Sequence, residues 1–215
     1  MDAFHQNDGI KNISLSMKSK KELRQEFKMK RCQLSKVDED SLNHELLSQF
    51  QKIALTKVSY LHVFLPIQKY HEPDTYPIIN YVREFFPKII LVVSRSNFSD
   101  YSMQHYIFDH QTVFETNEWG IPEPVSGVEV SPSVIDFILV PLLVFDVDGH
   151  RVGYGKGFYD RFFALCPLET QRVGLSFFDP IKRIADRNEH DVVLTKAITP
   201  NRIYDFSSHG HDTSF

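Results

Sequence analysis

Residues 153–157 read G-Y-G-K-G, so three glycines alternate with a tyrosine and a lysine. Such alternation lets backbone N–H groups come close to a phosphate, and the helical run predicted at residues 158–165 would add the positive end of its dipole. Arg151 and Lys156 supply side-chain charge. The spacing matches neither the Walker pattern nor the Rossmann fingerprint, and a tight turn without a ligand is the alternative interpretation.

Carboxylates lie on both sides of this loop. Asp160 follows the glycines at a position where a carboxylate can hold Mg²⁺ against a bound phosphate, although an acid in the first turn of a helix is the commoner role. Asp146 and Asp148 belong to a D-x-D-G segment, which is ordinary turn chemistry. The remaining acidic ligands of a calcium loop are missing, which excludes an EF-hand.

Residues 18–31 carry a second concentration of charge, with seven basic and two acidic side chains and therefore a local net charge of +5. Good helix formers dominate, and Leu23 and Phe27 begin an apolar stripe. A basic stripe lies beside it at positions i, i+4, i+8 and i+11 of the helix, namely Lys20, Arg24, Lys28 and Arg31. A solvated helix face is the alternative interpretation.

The elements that must position these charges follow from the apolar pattern. Buried strands are predicted at residues 58–65, 88–94, 134–140 and 172–177, and edge strands at residues 103–108, 192–194 and 202–204. Helices are predicted at residues 18–31, after the Ser35-x-x-Asp38 capping box, and at residues 77–86 and 158–165. This order predicts an α/β fold, a three-layer sandwich whose mainly parallel sheet is flanked by helices, with N-terminal helices. Ligands of such sheets bind at the carboxyl ends of the strands, where the glycine loop lies.

Composition excludes several classes of protein. Hydrophobic residues make up 42% of the 215 residues and charged residues 24%, which excludes disordered and fibrous chains. The net charge of −4 and the pI of about 6.2 argue against wholesale nucleic-acid binding. The longest apolar run, residues 134–145, contains Pro141 and is far shorter than the roughly 20 residues of a membrane helix.

The length predicts one full domain with appendages rather than two equal domains. We expect a disordered leader at residues 1–16, a single domain at residues 17–206 and a disordered tail at residues 207–215. The two cysteines form no disulfide framework, and the N-terminus has no long apolar segment typical of a secretory signal. These features predict a cytoplasmic protein.

A family resemblance rests on several segments that occur in order. The segment FDVDGHRVGYGKGFYDR resembles the signature of the 5-formyltetrahydrofolate cyclo-ligase family, also called methenyltetrahydrofolate synthetases. Weaker similarities support it over residues 18–205, in the segments KKELRQEFKMKRCQLS, FLPIQKYHEPDT, WGIPEP and RNEHD. Two departures are the Phe158 ring, where many members have tyrosine, and Lys156, where many have glycine.

The resemblance implies an enzyme that uses ATP and Mg²⁺ to convert 5-formyltetrahydrofolate into 5,10-methenyltetrahydrofolate, ADP and phosphate through an imino-phosphate. It implies catalytic roles for Arg151, Lys156 and Tyr159, and Mg²⁺-associated carboxylates at Asp160 and Asp191. The implied ATP-binding residues are Lys20, Arg24, Arg151, Val152, Gly153, Tyr154, Gly155, Lys156, Gly157, Phe158 and Tyr159. The implied folate-binding residues are Leu65, Glu72, Trp119, Tyr154, Gly155, Lys156, Gly157 and Phe158.

Some of these assignments have alternatives. Lys28 and Arg31 are expected to remain solvated, Trp119 has the alternative role of a core aromatic, and His190 is expected at the surface. A non-catalytic nucleotide- or RNA-binding domain is the competing function, and a phosphosugar or CoA-ester enzyme on a related scaffold is a third. The expected partner is a small molecule, without membrane or nucleic acid, and a monomer is favoured over a weak dimer.

Overall fold

The computed structural model describes residues 17–118 and 120–207. The expected leader at residues 1–16, the tail from residue 208 onward and Trp119 lie outside the described residues. The α-helices are α1 Lys20–Cys32, α2 Lys36–Phe50, α3 Tyr76–Phe85 and α4 Phe158–Phe163, and short 3-10 helices span Gln68–Tyr70 and Pro132–Val134. The strands are β1 Tyr60–His62, β2 Ile90–Asn97, β3 Ser102–Ile107, β4 Phe114–Thr116, β5 Pro122–Pro124, β6 Phe137–Pro141, β7 Val144–Phe145, β8 Arg151–Val152, β9 Gln171–Leu175, β10 Lys196–Ile198 and β11 Ile203–Asp205.

A seven-stranded sheet with the order β11-β10-β9-β6-β1-β2-β3 forms the centre of the fold. The five inner strands run parallel, and the two outer strands β3 and β11 pair antiparallel to their neighbours. The mainly parallel α/β architecture is therefore as predicted. The carboxyl ends of the parallel strands share one edge, and the chain after β6 returns there as the small β7–β8 hairpin that leads into the glycine loop.

Alternate side chains of the strands form two cores, one on each face of the sheet. Leu61, Leu139 and Leu175 point toward helices α2 and α3, where Phe50 and Ile79 complete a cluster of buried residues. On the opposite face the neighbouring strand residues pack with Phe162 and Phe163 of α4. This two-sided burial explains why the strands read as nearly continuous apolar runs.

The two N-terminal helices begin at capping boxes. The Ser35 side chain accepts from the Asp38 N–H, as the sequence predicts, and Ser19 and Glu22 form a second capping box at the start of α1. The N–H of Lys20 also donates to Asp186 over 2.6 Å, which fixes the start of α1 beside the segment that carries Asp191. The orientation of the basic helix is therefore set by its first turn.

Some predicted boundaries are wrong. The first strand is much shorter than residues 58–65, because after Val63 the chain leaves the sheet and forms part of a cavity wall. Residues 192–194 are not a strand: the Leu194 N–H donates to Gly149 O and the Val192 carbonyl accepts from Arg151, so this segment is bonded to the loop before the glycines. Strand β10 begins only at Lys196. No helix in the described ranges is both long and apolar enough to cross a membrane.

Candidate active site

A cavity of about 710 Å³ lies at the carboxyl ends of β1, β2 and β6. This volume is in the range of small-molecule sites. Helix α1, the residues after β1, the end of β2, the glycine loop and the segment around Asp191 all contribute to its wall. Every described residue to which the sequence assigned a binding, catalytic or metal role lines this cavity, except Val152. The Val152 side chain is fully buried below the loop in a cluster with Leu23.

Helix α1 turns one face toward the cavity and anchors the opposite side in the protein. Leu23 and Phe27 pack against the β7–β8 hairpin, and their burial leaves Lys20, Arg24 and Lys28 on the cavity side. The Arg24 Nε atom donates to Gly153 O over 2.9 Å. The helix and the glycine loop are thus held together by one of the cations that the sequence singled out.

Arg31 is not solvated, contrary to expectation. Its side chain is fully buried, donates to the carbonyl of Leu142 and lies 3.3 Å from the Tyr154 hydroxyl through Nη1. Lys28 lies between the rings of Tyr70 and Tyr154, with Nζ 5.5 and 5.4 Å from their centroids. The basic stripe is therefore increasingly enclosed toward the C-terminal end of α1, because Lys28 lies against two tyrosine rings and Arg31 is bonded to groups inside the protein.

Glu72 is a buried carboxyl group at the centre of the site. Its Oε1 accepts from the Tyr154 hydroxyl over 2.5 Å and its Oε2 accepts from the Ile67 N–H over 2.7 Å. Burial raises the pKa of Glu72, and these two hydrogen bonds and the Arg31 charge only partly offset it. Burial likewise raises the pKa of Tyr154 and of Tyr159, so that both phenols stay protonated.

The glycine loop owes its shape to residues without a Cβ atom. Gly155 has a φ of +90° and Gly157 a φ of +74°, which L side chains rarely adopt. A Cβ atom on Gly155 would lie 2.9 Å from the Arg24 guanidinium carbon. Within the described ranges, no backbone N–H from Gly153 to Gly157 donates to another protein group. These N–H groups remain available in a cavity wall that also carries Arg24, Arg151 and Lys156, and this arrangement suits a bound phosphate chain.

Each predicted metal carboxylate is paired with a cation. Asp160 accepts from Arg151 over 2.7 Å, and Asp191 accepts from Lys20 through both oxygens, over 2.6 and 2.5 Å. Partial burial opposes ionisation of Asp191, but the hydrogen bonds from Lys20 and the Asn188 N–H, with the Lys20 charge, leave its pKa below the usual range. The two segments lie side by side, since Asp160 Oδ1 is 3.4 Å from the N atom of Val192.

A different wall of the cavity carries no charged side chain. It is formed by the ends of β1 and β2, the turn into β3 and the first residue of α4. We call it the neutral wall: His62, Ser94, Ser96, Phe98, Tyr101, Met103 and Phe158. The Phe158 ring lies edge-on to Phe98 and Tyr101, with centroid distances of 5.3 and 5.7 Å. The opposite side is the cationic wall: Lys20, Arg24, Lys28, Arg151 and Lys156.

Sequence reasoning missed most of the neutral wall. A signal was present, because His62 interrupts an apolar strand and Ser94 ends another. Leu65 lines the cavity, as does Ile121 next to the segment that contains Trp119. His190 is exposed, as expected.

The comparisons with known proteins bear on this cavity. The model of the 5-formyltetrahydrofolate cyclo-ligase family matches residues 16–200. The chain belongs to this family. The cyclo-ligase of Escherichia coli K12 is 30% identical over 138 residues, which cover 63% of this chain and 75% of that protein. The cyclo-ligase of Mycoplasma genitalium is 23% identical over 163 residues, covering 75% and 86%.

Solved structures agree with the family. The NMR structure of 5,10-methenyltetrahydrofolate synthetase from Aquifex aeolicus superposes with a TM-score of 0.74 at 26% identity, and the match covers 91% of this chain and 95% of that one. A synthetase from Mycoplasma pneumoniae shares the fold, with a TM-score of 0.67 at 21% identity over 84% and 98% of the two chains. Both cavity walls therefore belong to a cyclo-ligase scaffold.

Proposed function

We infer that this chain is an ATP-dependent ligase that cyclises 5-formyltetrahydrofolate to 5,10-methenyltetrahydrofolate, with release of ADP and phosphate. One observation carries the inference. In a chain of the cyclo-ligase family, a single cavity is lined both by the glycine loop, which suits a phosphate chain, and by the neutral wall, which suits a planar ring. A non-catalytic nucleotide- or RNA-binding role is not favoured, since the relatives are named as enzymes.

The proposed reaction proceeds in two steps. The formyl oxygen attacks the γ-phosphorus of ATP, the bond to the β-phosphate oxygen breaks and ADP leaves, giving an imino-phosphate. N10 then attacks the formyl carbon, its proton is lost and phosphate departs with the former formyl oxygen. Phosphorylation thus converts a poor leaving oxygen into a good one, and the protein has to position two substrates and neutralise charge.

The cationic wall is proposed to bind the phosphates. Lys20 and Arg24 approach from α1, Lys156 from the loop, and the loop N–H groups from below. Arg151 is held by Asp160 and by the Val192 carbonyl, so its guanidinium is fixed before any ligand arrives. Fixed donors stabilise transferred negative charge without a cost of reorganisation.

We propose that Asp160 and Asp191 hold Mg²⁺ together with the phosphates of ATP. No group of three or more potential metal-binding side chains occurs among the described residues, so a bound ion would need ligands from the substrate. Two adjacent carboxylates fit this requirement, since Mg²⁺ is commonly held by one or two carboxylates and phosphate oxygens. When bound, the ion would neutralise phosphate charge.

The folate is proposed to lie along Leu65, Glu72, Phe158 and the segment of Trp119. The phenyl ring of Phe158 offers a flat face and Glu72 a carboxyl group with a raised pKa. We further propose a monomeric, cytoplasmic enzyme, and the free cysteines Cys32 and Cys166 suit a reducing compartment.

The test is to incubate the purified protein with 5-formyltetrahydrofolate and Mg-ATP and to follow the absorbance of the methenyl product. We expect product only when nucleotide is present, and no product at micromolar protein would refute the function. Asp160→Asn should raise the Mg²⁺ concentration for half-maximal rate about tenfold. The control is Asp40→Asn, which removes an exposed carboxylate paired with Lys36 on α2. An equal Mg²⁺ requirement in both variants would contradict the metal assignment alone.

A further inference from the structure

A chain of hydrogen bonds runs through the neutral wall and has no part in the steps above. His62 Nε2 lies 2.6 Å from Ser94 Oγ, and Ser94 Oγ lies 2.9 Å from His105 Nδ1. The strand register explains the contact. Ser94 of β2 pairs directly with His105 of β3, and His62 of β1 pairs with Val92, which lies two residues before Ser94 and therefore on the same face of the sheet. His62 and His105 are 1% and 2% exposed.

Both ends of this unit lack a partner in the part of the chain that the structure describes. The outer nitrogens, His62 Nδ1 and His105 Nε2, are buried and make no hydrogen bond with any described residue. Leaving such a group unpaired costs roughly 1–3 kcal/mol. His62 and Ser94 line the cavity and Ser94 is only half-buried, so a ligand in the cavity approaches the unit from that side.

The unit stays uncharged. Burial lowers the pKa of His105 to about 4 and holds the pKa of His62 well below 6.5, where the second imidazole lowers it further. When the Ser94 proton lies within the unit, two neutral imidazoles and one hydroxyl leave one spare donor and one spare acceptor at the ends. The tautomers of the two rings and the direction of the Ser94 O–H decide which end is the donor, so His62 presents an N–H in one arrangement and a lone pair in the other.

Proton transfer to solvent is not the role of this unit. A proton accepted at His62 would have to leave at His105 Nε2, which is buried without a partner among the described residues. The Phe162 ring covers it, with the ring centroids 4.1 Å apart. A closed, neutral unit suits recognition of an uncharged polar group.

We propose that the His62–Ser94–His105 unit is a substrate-positioning element that recognises the uncharged hydrogen-bonding edge of the pterin ring. The pterin edge alternates N–H donors with carbonyl and ring-nitrogen acceptors, which matches an end that can be donor or acceptor. The phosphates of ATP and the glutamate carboxylates of the folate are charged and belong to other parts of the cavity. This proposal rests on the proposed function, since it assumes a folate in the cavity.

The test measures binding of 5-formyltetrahydrofolate and of the non-hydrolysable analogue Mg-AMPPNP separately by calorimetry. Ser94→Ala should weaken folate binding about tenfold or more and change nucleotide binding by less than about twofold. Ser94→Thr, which keeps the hydroxyl, should restore most of the affinity. Ser176→Ala is the matched control, because it removes a buried serine hydroxyl bonded to Phe178 outside the cavity and should change neither affinity.

Inhibition by each half of the folate molecule distinguishes loss of pterin recognition from a general structural effect of the substitution. Ser94→Ala should weaken inhibition by a 5-formyltetrahydropterin and leave inhibition by p-aminobenzoylglutamate unchanged. If the alanine variant fails to fold, Ser94→Cys, with its weaker hydrogen bonding, provides the same comparison with a smaller loss. Normal folate affinity in Ser94→Ala, or equal losses of folate and nucleotide affinity in that variant, would overturn the proposal while wild-type turnover still supports the function. A wild-type protein that binds no folate would overturn both.

Discussion

The two walls of the cavity obtain their polar groups in opposite ways. The cationic wall consists of long side chains from a helix and a loop, and several are already paired, such as Lys20 with Asp191 and Arg151 with Asp160. The neutral wall takes short polar side chains from strands, where His62 ends β1 and Ser94 lies within β2.

The difference has a physical cause. Phosphate carries several charges, and charged donors must balance them, so the wall that meets phosphate needs cations and counter-ions that keep them in place. A flat, mostly uncharged ring is bound by apolar contact and a few fixed polar groups. We therefore expect variants of the cationic wall to affect nucleotide binding and variants of the neutral wall to affect folate binding.

The largest effect is expected for Arg24→Ala. It removes a cation from the cavity and the hydrogen bond to Gly153 that holds the glycine loop. We expect kcat/KM for ATP to fall about 10²- to 10³-fold, with folate affinity changed less than about threefold. Lys21→Ala, which removes an exposed cation from the same helix outside the cavity, is the control. Equal losses for both substrates would refute the division into two walls.

Arg31 tests how far the cationic wall extends, since it belongs to the basic stripe and yet is fully buried and does not line the cavity. Arg31→Met leaves the Leu142 carbonyl without this donor and removes the charge that favours ionisation of Glu72. We expect a loss of about 3 kcal/mol in the free energy of unfolding, visible as a lower thermal midpoint, with little change in the KM for ATP. Lys30→Met on the exposed side should leave the midpoint nearly unchanged. A large rise in KM at unchanged stability would instead assign Arg31 to the phosphates.

The sequence predicts some of these features and not others. The sheet and the cationic wall could be predicted, because apolar strands alternate with helices, and because alternating glycines and a basic stripe are unusual patterns. The burial of Arg31 could not be predicted, since helical spacing places it beside Lys20 and Arg24 and only the tertiary position of the glycine loop covers it.

The His62–Ser94–His105 unit could not be predicted for a related reason. His62, Ser94 and His105 lie on three strands, and they meet only because of the β1–β2–β3 register. A single polar residue in an apolar strand gives no indication of that register. The prediction of a strand at residues 192–194 was wrong for a similar reason, since the backbone hydrogen bond of Leu194 goes to the loop that contains Gly149 rather than to a neighbouring strand.

The neutrality of the His62–Ser94–His105 unit can be tested by the pH dependence of stability. The folded-state pKa of His105 is about 4, below its ordinary value of 6.5, so the unfolded chain binds more protons between these values and stability is lost as pH falls. His105 alone should account for about 2 kcal/mol of the loss between pH 7 and pH 5. Urea titrations of His105→Phe should show this part of the slope removed. His44→Phe, at an exposed position on α2, should keep the wild-type slope. Identical slopes in all three proteins would mean that His105 accepts a proton in the folded state.

The smallest effect is expected at Lys156, an exposed member of the cationic wall whose Nζ lies 5.5 Å from the ring centroid of Tyr101 in the neutral wall. Because water and salt screen an exposed charge, Lys156→Met should raise the KM for ATP only about fivefold. The difference from wild type should shrink in about 0.5 M salt, whereas the Arg24 defect, which includes a lost hydrogen bond to the loop, should persist. Lys182→Met, an exposed lysine outside the cavity, should match wild type at both salt concentrations. A higher KM for folate rather than ATP would place Lys156 functionally with the neutral wall, where its contact with Tyr101 already lies.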